Sequence, residues 1–355
     1  MSEREIQPLE TKFKAASTLI NPFPGLRPFG IEESHLFFGR EGQSDEVLNK
    51  LGKNRFVAVV GSSGSGKSSL MYCGLISTLY GGFMTHAGSK WKIIITRPGN
   101  SPLENLSESI LSNNEEYQAT DEDSQLTIRN ITTSIIKSSS VGLVEAVRSN
   151  YKNKVENVFL LIDQFEEIFR YKKKENKYSA FNEAFAYISL IINAVQQKDV
   201  PIYVAITLRS DFVGECAQYP GLTMLINASQ YLVPQMNRDQ KRLAIEGPIA
   251  VGGGKITPQL VQQLLNDVGD SPDQLPVLQH ALMRTWDLWV VKKGIKEALD
   301  IHHYDAIGGL AEALSRHANE AFEELTDKEK EICTILFKTL TEKRNDNHGI
   351  RRPCR

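Results

Sequence analysis

Four short, nearly unbroken apolar runs punctuate the chain: RFVAVV at 55–60, WKIIIT at 91–96, VFLLI at 158–162 and PIYVAITL at 201–208. None alternates polar with apolar positions as a half-solvated strand would, so each reads as a strand buried on both faces. Between them the apolar spacing lengthens to a helical period at 41–50, 68–79 and 178–197. Strands alternating with helices predict an α/β domain built on a doubly wound parallel sheet. Beyond about residue 215 the strand-like runs stop. Segments 256–268, 274–292, 311–325 and 328–340 carry helical spacing, so the back third is expected to be all-α.

Two stretches break this rhythm. NPFPGLRPFGIEESHLFFGRE, residues 21–41, holds three prolines that forbid a continuous helix. Residues 100–150 mix helical pieces with acidic, Ser- and Asn-rich segments such as NNEEYQATDEDSQ. Those segments have little apolar surface to bury and are expected to form a solvated insertion. No internal repeat is visible.

Composition narrows the function classes. At 355 residues, with 41% hydrophobic and 24% charged positions, the chain has room for two or three globular modules. The formal net charge of −2 gives no global basic field, so nucleic acid is not the expected partner. Cys73, Cys216, Cys333 and Cys354 lie far apart, which suits neither a zinc site nor a disulfide framework and fits a reducing compartment. The charged N-terminus has no apolar signal core, and no apolar run approaches the roughly 18 residues of a membrane span. A cytoplasmic protein with no membrane partner is expected.

The chemistry concentrates at strand ends. VVGSSGSGKSSL, residues 59–70, contains the full pattern G-x-x-x-x-G-K-[ST] at Gly61, Gly66, Lys67 and Ser68. The loop Gly61, Ser62, Ser63, Gly64, Ser65, Gly66 can turn successive N–H groups toward phosphate oxygens. Lys67 then reaches the β- and γ-phosphates, Ser68 ligates Mg²⁺, and the helix beginning there adds its N-terminal dipole. In VFLLIDQFEEIF, Asp163 ends a buried strand and is placed to share the Mg²⁺. Glu166 and Glu167 follow; one of them, with Glu167 favoured, would polarise the attacking water, unless both are plain helix-terminal charges. Arg209, after the fourth strand in TLRSDF, would either sense a γ-phosphate or simply pair with Asp211. His35, His280, His302, His303 and His317 have no convincing metal spacing, RYKKKENKY reads as a solvated loop or helix end, and Trp286 and Trp289 fit a core helix face.

Taken in order, NPFPGLRPFGIEESHLFFGRE, the glycine cradle, DQFEE, TLRSDF and QLPVLQHALMRTW resemble the STAND class of signal-transducing NTPases. The likeness is greatest to its novel-STAND branch, bacterial proteins that often carry repeat sensors, and runs from about Asn21 to the end of the chain. The resemblance implies that Phe37, Phe38, Gly39 and Arg40 line an adenine pocket and that Gly61 to Ser69 is Walker A. Asp163 with Glu166 and Glu167 would be Walker B and its acidic pair, and Arg209 the arginine ending the sensor strand. Pro276, in Gln274-Leu275-Pro276, looks like the proline that packs against the base from a small helical domain. HHYDAIGGLAEALSRHANEAFEELTDKEK resembles the lead-in to a winged helix, in which a histidine touches the diphosphate of related switches; His302, His303 and His317 all stay open for that role.

The implied organisation is a polar lead-in at 1–20, a P-loop NTPase domain at 21–215 with its adenine-side segment at 21–41, a helical lid at 216–295 and a partial winged-helix region at 296–355. The chain stops at NHGIRRPCR, where the resemblance leads one to expect a completed winged helix and a sensor domain; the expectation is a fragment of a larger bacterial sensor, with defence or conflict signalling as a setting, or else a family member without a sensor. The expected activity is that of an ATP/ADP switch with slow Mg²⁺-dependent hydrolysis, in which exchange of ADP for ATP frees the helical part for self-association. The alternative is an AAA+-like motor or DNA-processing ATPase, which also joins a cradle domain to a helical lid.

Overall fold

The computed structural model describes residues 19–84, 87–112, 114–151, 157–170, 177–269, 274–292, 297–343 and 349–351. The chain divides into two compact units, Arg27–Pro248 with Asp270–Leu275, and Met1–Leu26 with Ile249–Gly269 and Pro276–Arg355.

The first unit is built on five strands, β1 (Phe56–Gly61), β2 (Trp91–Thr96), β3 (Asn157–Ile162), β4 (Ile202–Arg209) and β5 (Gln230–Leu232). They lie in the order β2-β3-β4-β1-β5, and every pairing is parallel. The expected α/β P-loop architecture is the observed one, and the four apolar runs form strands within one residue of their predicted bounds. β4 is inserted between β1, which leads into the cradle, and β3, which ends at Asp163.

Residue parity splits the sheet's side chains between two cores. Ala58, Val60, Leu160, Ile162, Val204 and Ile206 face helices Pro102–Leu111, Gly142–Asn150, Lys177–Gln196 and Pro220–Ala228. Val57, Val59, Phe159, Leu161, Tyr203 and Ala205 face helix Gln43–Asn54 and the helical run that starts at Lys67. Both faces are thus dry, which is why the strands read as continuous apolar runs.

The expected end of the strands needs correction. β5 lies beyond the point where strands were expected to stop. It is a three-residue edge strand with only Tyr231 buried, too short and too polar to stand out. In residues 102–150 the helical pieces belong to the sheet domain, while the acidic segment stays at the surface as expected. Leu106, Ile110, Ile136, Leu143 and Val147 pack into the sheet core. NNEEYQATDEDSQ itself is mostly exposed but ordered by caps: the Asn114 side chain accepts from the N–H groups of Glu116 (3.0 Å) and Tyr117 (3.4 Å), and Asp121 accepts from that of Ser124 (2.9 Å). RYKKKENKY lies mostly outside the described residues, as does Cys354.

The second unit is helical, with Pro258–Val268, Gln274–Lys292, Ile301–Ala306, Gly309–Glu323 and Asp327–Leu340 followed by a hairpin of β6 (Thr341–Lys343) and β7 (Gly349–Arg351). Trp286 and Trp289 are fully buried with ring centroids 5.0 Å apart, as the helix-face reading expects. Gly252 and Gly254 lie so close to the Trp286 ring that a Cβ would come within 2.8 Å of it. Asn21 ties the start of the described chain into this unit, donating to Met283 O (2.9 Å) and Asp287 Oδ1 (2.8 Å). No helix among the described residues is long and apolar enough to cross a membrane.

Leu160 in β3 is 1% exposed, whereas Leu126 on helix Glu122–Ser138 is 55% exposed. Leu160→Ala should cost about 2–5 kcal/mol in urea denaturation. Leu126→Ala should stay within about 0.5 kcal/mol of the unsubstituted protein. Equal losses would contradict the placement of these two leucines.

Candidate functional site

Strand register assembles the site. Thr96 pairs with Ile162, Ile162 with Ile206, and Gly61 with Arg209. Arg97, Asp163 and Ser62 follow these strand ends and Thr207 lies near the end of β4, so all four stand at one edge of the sheet. That edge is the carboxyl end of a parallel sheet, where ligands bind in open α/β folds.

The cradle runs from the end of β1 into a helical run at Lys67. Gly64 and Gly66 have φ of +70° and +86°, a region that a side chain would make costly. Gly61 is glycine for space, since its Cβ would stand 2.7 Å from Ser65 Oγ. Ser65 Oγ is buried with no hydrogen-bond partner among the described residues. The Lys67 ammonium donates to the carbonyls of Gly61 (2.9 Å) and Ser62 (2.7 Å), spanning the loop. Burial pulls the Lys67 ammonium below its ordinary value, and the charge of Glu166 works against that shift. The helical run opens as an α-turn at Lys67–Ser69, widens into a π-helix at Leu70–Ile76 and closes as α at Ser77–Tyr80. π-turns are rare and often found at functional sites.

Asp163 is fully buried and surrounded by donors. Its Oδ1 accepts from Ser68 Oγ (2.8 Å) and Thr207 Oγ1 (2.7 Å). Its Oδ2 accepts from Tyr72 OH (3.0 Å), inside the π-turn, and from Arg97 Nη2 (2.8 Å) and Nε (3.2 Å). Burial alone would raise this carboxyl; the bonds from Thr207 and Ser68 and the charge of Arg97 hold it below the ordinary carboxylate range. Burial, then the Asp163 charge, pushes the Tyr72 hydroxyl up to about 12. Gln164 takes a left-handed backbone with φ +57°, held by its N–H on Thr207 Oγ1 (2.8 Å).

The remaining expected residues divide. Glu166 is buried and accepts the Arg209 N–H (3.3 Å), and its charge acts on Lys67. Glu167, the member favoured on sequence, accepts the Gly99 N–H at 3.0 Å. The Arg209 guanidinium takes the alternative left open, pairing with Asp211 at 2.8 and 3.0 Å. In the 37–40 segment, Phe37 packs edge-on against Phe29, and the Phe38 ring closes on Gly247. Gly39 has φ +84°, with Gln240 O where a Cβ would be. Arg40 is buried and braces the cradle, donating to Ser65 O (2.8 Å) and Pro234 O (2.7 Å). Ser69 Oγ accepts from the Phe29 N–H at 3.2 Å.

Pro276 belongs to the second unit, half-buried near the start of Gln274–Lys292. There too His280 Nε2 and His317 Nδ1 meet at 2.9 Å, so they share one proton. Among the described residues no three or more His, Cys, Asp or Glu side chains cluster as metal ligands.

Sequence reasoning missed Arg97, Tyr72 and Thr207. Arg97 follows WKIIIT without a motif of its own, although its place after β2 matches that of Asp163 after β3. Tyr72 carried no signal, because only the π-turn swings it to Asp163. As a donor set, the Lys67 ammonium, the unpartnered Ser65 hydroxyl, the Ser68 hydroxyl and the Asp163 carboxylate fit phosphate oxygens with a hard divalent cation, which favours oxygen ligands.

A family model described as Novel STAND NTPase 1 matches residues 22–355. No curated protein matches the sequence with significance. Among solved structures, the chain is similar to a Walker-type ATPase of Pyrococcus abyssi, at 12% identity and TM-score 0.48 over 92% of this chain and 96% of that one. It is similar to the ORC1 protein of Aeropyrum pernix, solved in complex with DNA, at 13% identity and TM-score 0.49 over 82% and 69%. A third likeness is to domain III of the Thermotoga maritima replication initiation protein DnaA, at 13% identity and TM-score 0.42 over 79% and 100%.

Thr207 joins two bonds, one to Asp163 and one from Gln164. Thr207→Val should therefore cost about 1–3 kcal/mol in urea denaturation. The depressed Asp163 carboxyl also sets a pH dependence. Its stabilisation is complete above the unfolded value of about 3.9 and is lost as pH falls through the lower folded value. Wild type should lose stability relative to Asp163→Asn over that acid interval. Parallel pH profiles would show that the ionised carboxylate is not what the donors hold.

Proposed function

The chain belongs to the Novel STAND NTPase 1 family, and from that membership we propose that it is an ATP/ADP-dependent signal-transduction switch with its nucleotide at the Gly61 to Ser69 cradle and the Asp163 edge. The observation that carries this reading is the 2.8 Å bond from Ser68 Oγ to Asp163 Oδ1, which joins the cradle to the end of β3. In this reading Lys67 exchanges its bonds to the Gly61 and Ser62 carbonyls for β- and γ-phosphate oxygens. Ser68 and Asp163 hold Mg²⁺, which supplies charge neutralisation on the phosphates. The orphan Ser65 hydroxyl gains an acceptor.

Of the acidic pair, Glu166 is the better-placed base for the attacking water, since it is buried and bonded by the Arg209 N–H at the end of β4. Glu167 serves as an anchor for Gly99. Arg209 reads the γ-phosphate by leaving Asp211. The Phe37 to Arg40 segment borders the adenine, with Arg40 keeping the loop in shape through its bond to Ser65 O. Hydrolysis is slow, as a long-lived ATP state requires. Exchange of ADP for ATP, governed by a sensor domain, frees a surface for self-association.

Lys67→Ala should weaken binding of a fluorescent ATP analogue by about tenfold or more, the loss of charge-assisted contacts to phosphate. Glu166→Gln should keep binding and lose about a hundredfold in hydrolysis. Glu167→Gln should keep most of both. Wild-type turnover should lie well below about 10 s⁻¹, the median of ordinary enzymes. The direct test is the nucleotide that co-purifies, with size-exclusion profiles in ADP and in a slowly hydrolysed ATP analogue. Retained ADP in a monomer and a larger species with the analogue support the switch. Fast turnover stimulated by DNA would replace it with the motor reading.

A further inference from the structure

An ionised carboxylate offers about four lone-pair positions. In Asp163 all are taken by this chain: Ser68 and Thr207 on Oδ1, Tyr72 and Arg97 on Oδ2. A divalent cation drawing on Asp163 therefore has to displace a donor. Three of the four donors are neutral hydroxyls. Arg97 alone carries positive charge, and its side chain is 48% exposed while Asp163 is fully buried. It is the donor that a second cation repels and the one with solvent to move into. It is also held at both ends of a short loop. Asn105 Nδ2 donates to the carbonyls of Arg97 (3.3 Å) and Pro98 (2.9 Å), and the Gly99 N–H donates to Glu167 Oε2 at 3.0 Å.

We propose that Arg97 is a tethered counter-cation for Asp163, that it and the divalent cation occupy the carboxylate in turn, and that the 97–99 loop shifts when the exchange occurs. Arg97 is thus a positioning residue. It keeps the buried carboxylate partnered and aimed while the phosphates and cation arrive, then yields. A guanidinium suits this role better than an ammonium, because its fork places two donors on one oxygen and it is less strongly hydrated. The loop gives the exchange a direction outward. As Arg97 leaves Oδ2, strain falls on the Gly99 to Glu167 bond, so loading is felt at the acid that follows Walker B. This inference rests on the nucleotide reading of the cradle.

The test is a Mg²⁺ titration of fluorescent ATP-analogue binding to wild type, Arg97→Gln and Arg97→Lys, with thermal melts to establish that each is folded. Arg97→Gln should reach half-maximal binding at about threefold or more lower Mg²⁺, the scale of a half-exposed ion pair. Arg97→Lys should fall between. Hydrogen exchange of wild type provides a readout free of substitution: the Gly99 amide should shift to faster exchange with Mg²⁺ and nucleotide together and not with nucleotide in EDTA. An Arg97→Gln midpoint that is unchanged or raised overturns the proposal, as does a Gly99 amide indifferent to Mg²⁺. Lost affinity in EDTA on Arg97→Gln would make the arginine a phosphate ligand and overturn it as well. Wild type that binds no nucleotide at any Mg²⁺ concentration would overturn the nucleotide reading and this proposal together.

Discussion

The Asp163 carboxylate is the interaction on which the rest of the site hangs. It is buried at the end of β3 and receives hydroxyls from the cradle helix, its π-turn and β4, and a guanidinium from the end of β2. A buried charge is costly unless its acceptor positions are filled, and one left partly filled is worse than none. That requirement fixes the register of β2, β3 and β4 at their carboxyl ends and places Ser68 against the sheet. It also explains two local oddities. The π-turn at Leu70–Ile76 brings Tyr72 within reach, and the left-handed Gln164 lets the backbone N–H meet Thr207 while Asp163 points inward.

The strands were legible because burial on both faces leaves no polar positions to interrupt them. The cradle was legible because its glycines answer local demands, open φ at Gly64 and Gly66 and space for Ser65 at Gly61. What escaped the sequence depends on distance in space. Arg97 and Asp163 are 66 residues apart, and only the β2·β3 register makes them neighbours. Thr207 looked like one more apolar-run residue, yet parity and register set its hydroxyl on Asp163. β5 escaped for the opposite reason: it gains its strand character from pairing with Ala58 to Val60, not from its own three residues.

Glu166 and Glu167 show the same limit within four residues. Spacing alone cannot say which acid turns toward the cradle, since both follow a turn whose path is set by Thr207. In the fold Glu166 is buried against the Arg209 N–H, and Glu167 goes to Gly99. Arg40 is a parallel case. The FFGRE motif suggested an adenine-side wall, but the guanidinium is committed to Ser65 O and Pro234 O and works on the cradle's shape.

Every charged group of the site already has a partner within the chain: Lys67 the loop carbonyls, Asp163 its four donors, Arg209 Asp211. Under the proposed reading, binding here is consequently an exchange of bonds rather than a gain of them. A phosphate chain compensates Lys67 and the orphan Ser65 hydroxyl, but it brings a like charge toward Asp163 and Glu166. A cation compensates Asp163 but meets Arg97. Under the proposed reading each ligand alone leaves one of these conflicts standing, and only the two together relieve both. Coupling of that kind raises the differential affinity between loaded and unloaded states, the quantity a two-state element needs in order to be shifted by its ligand.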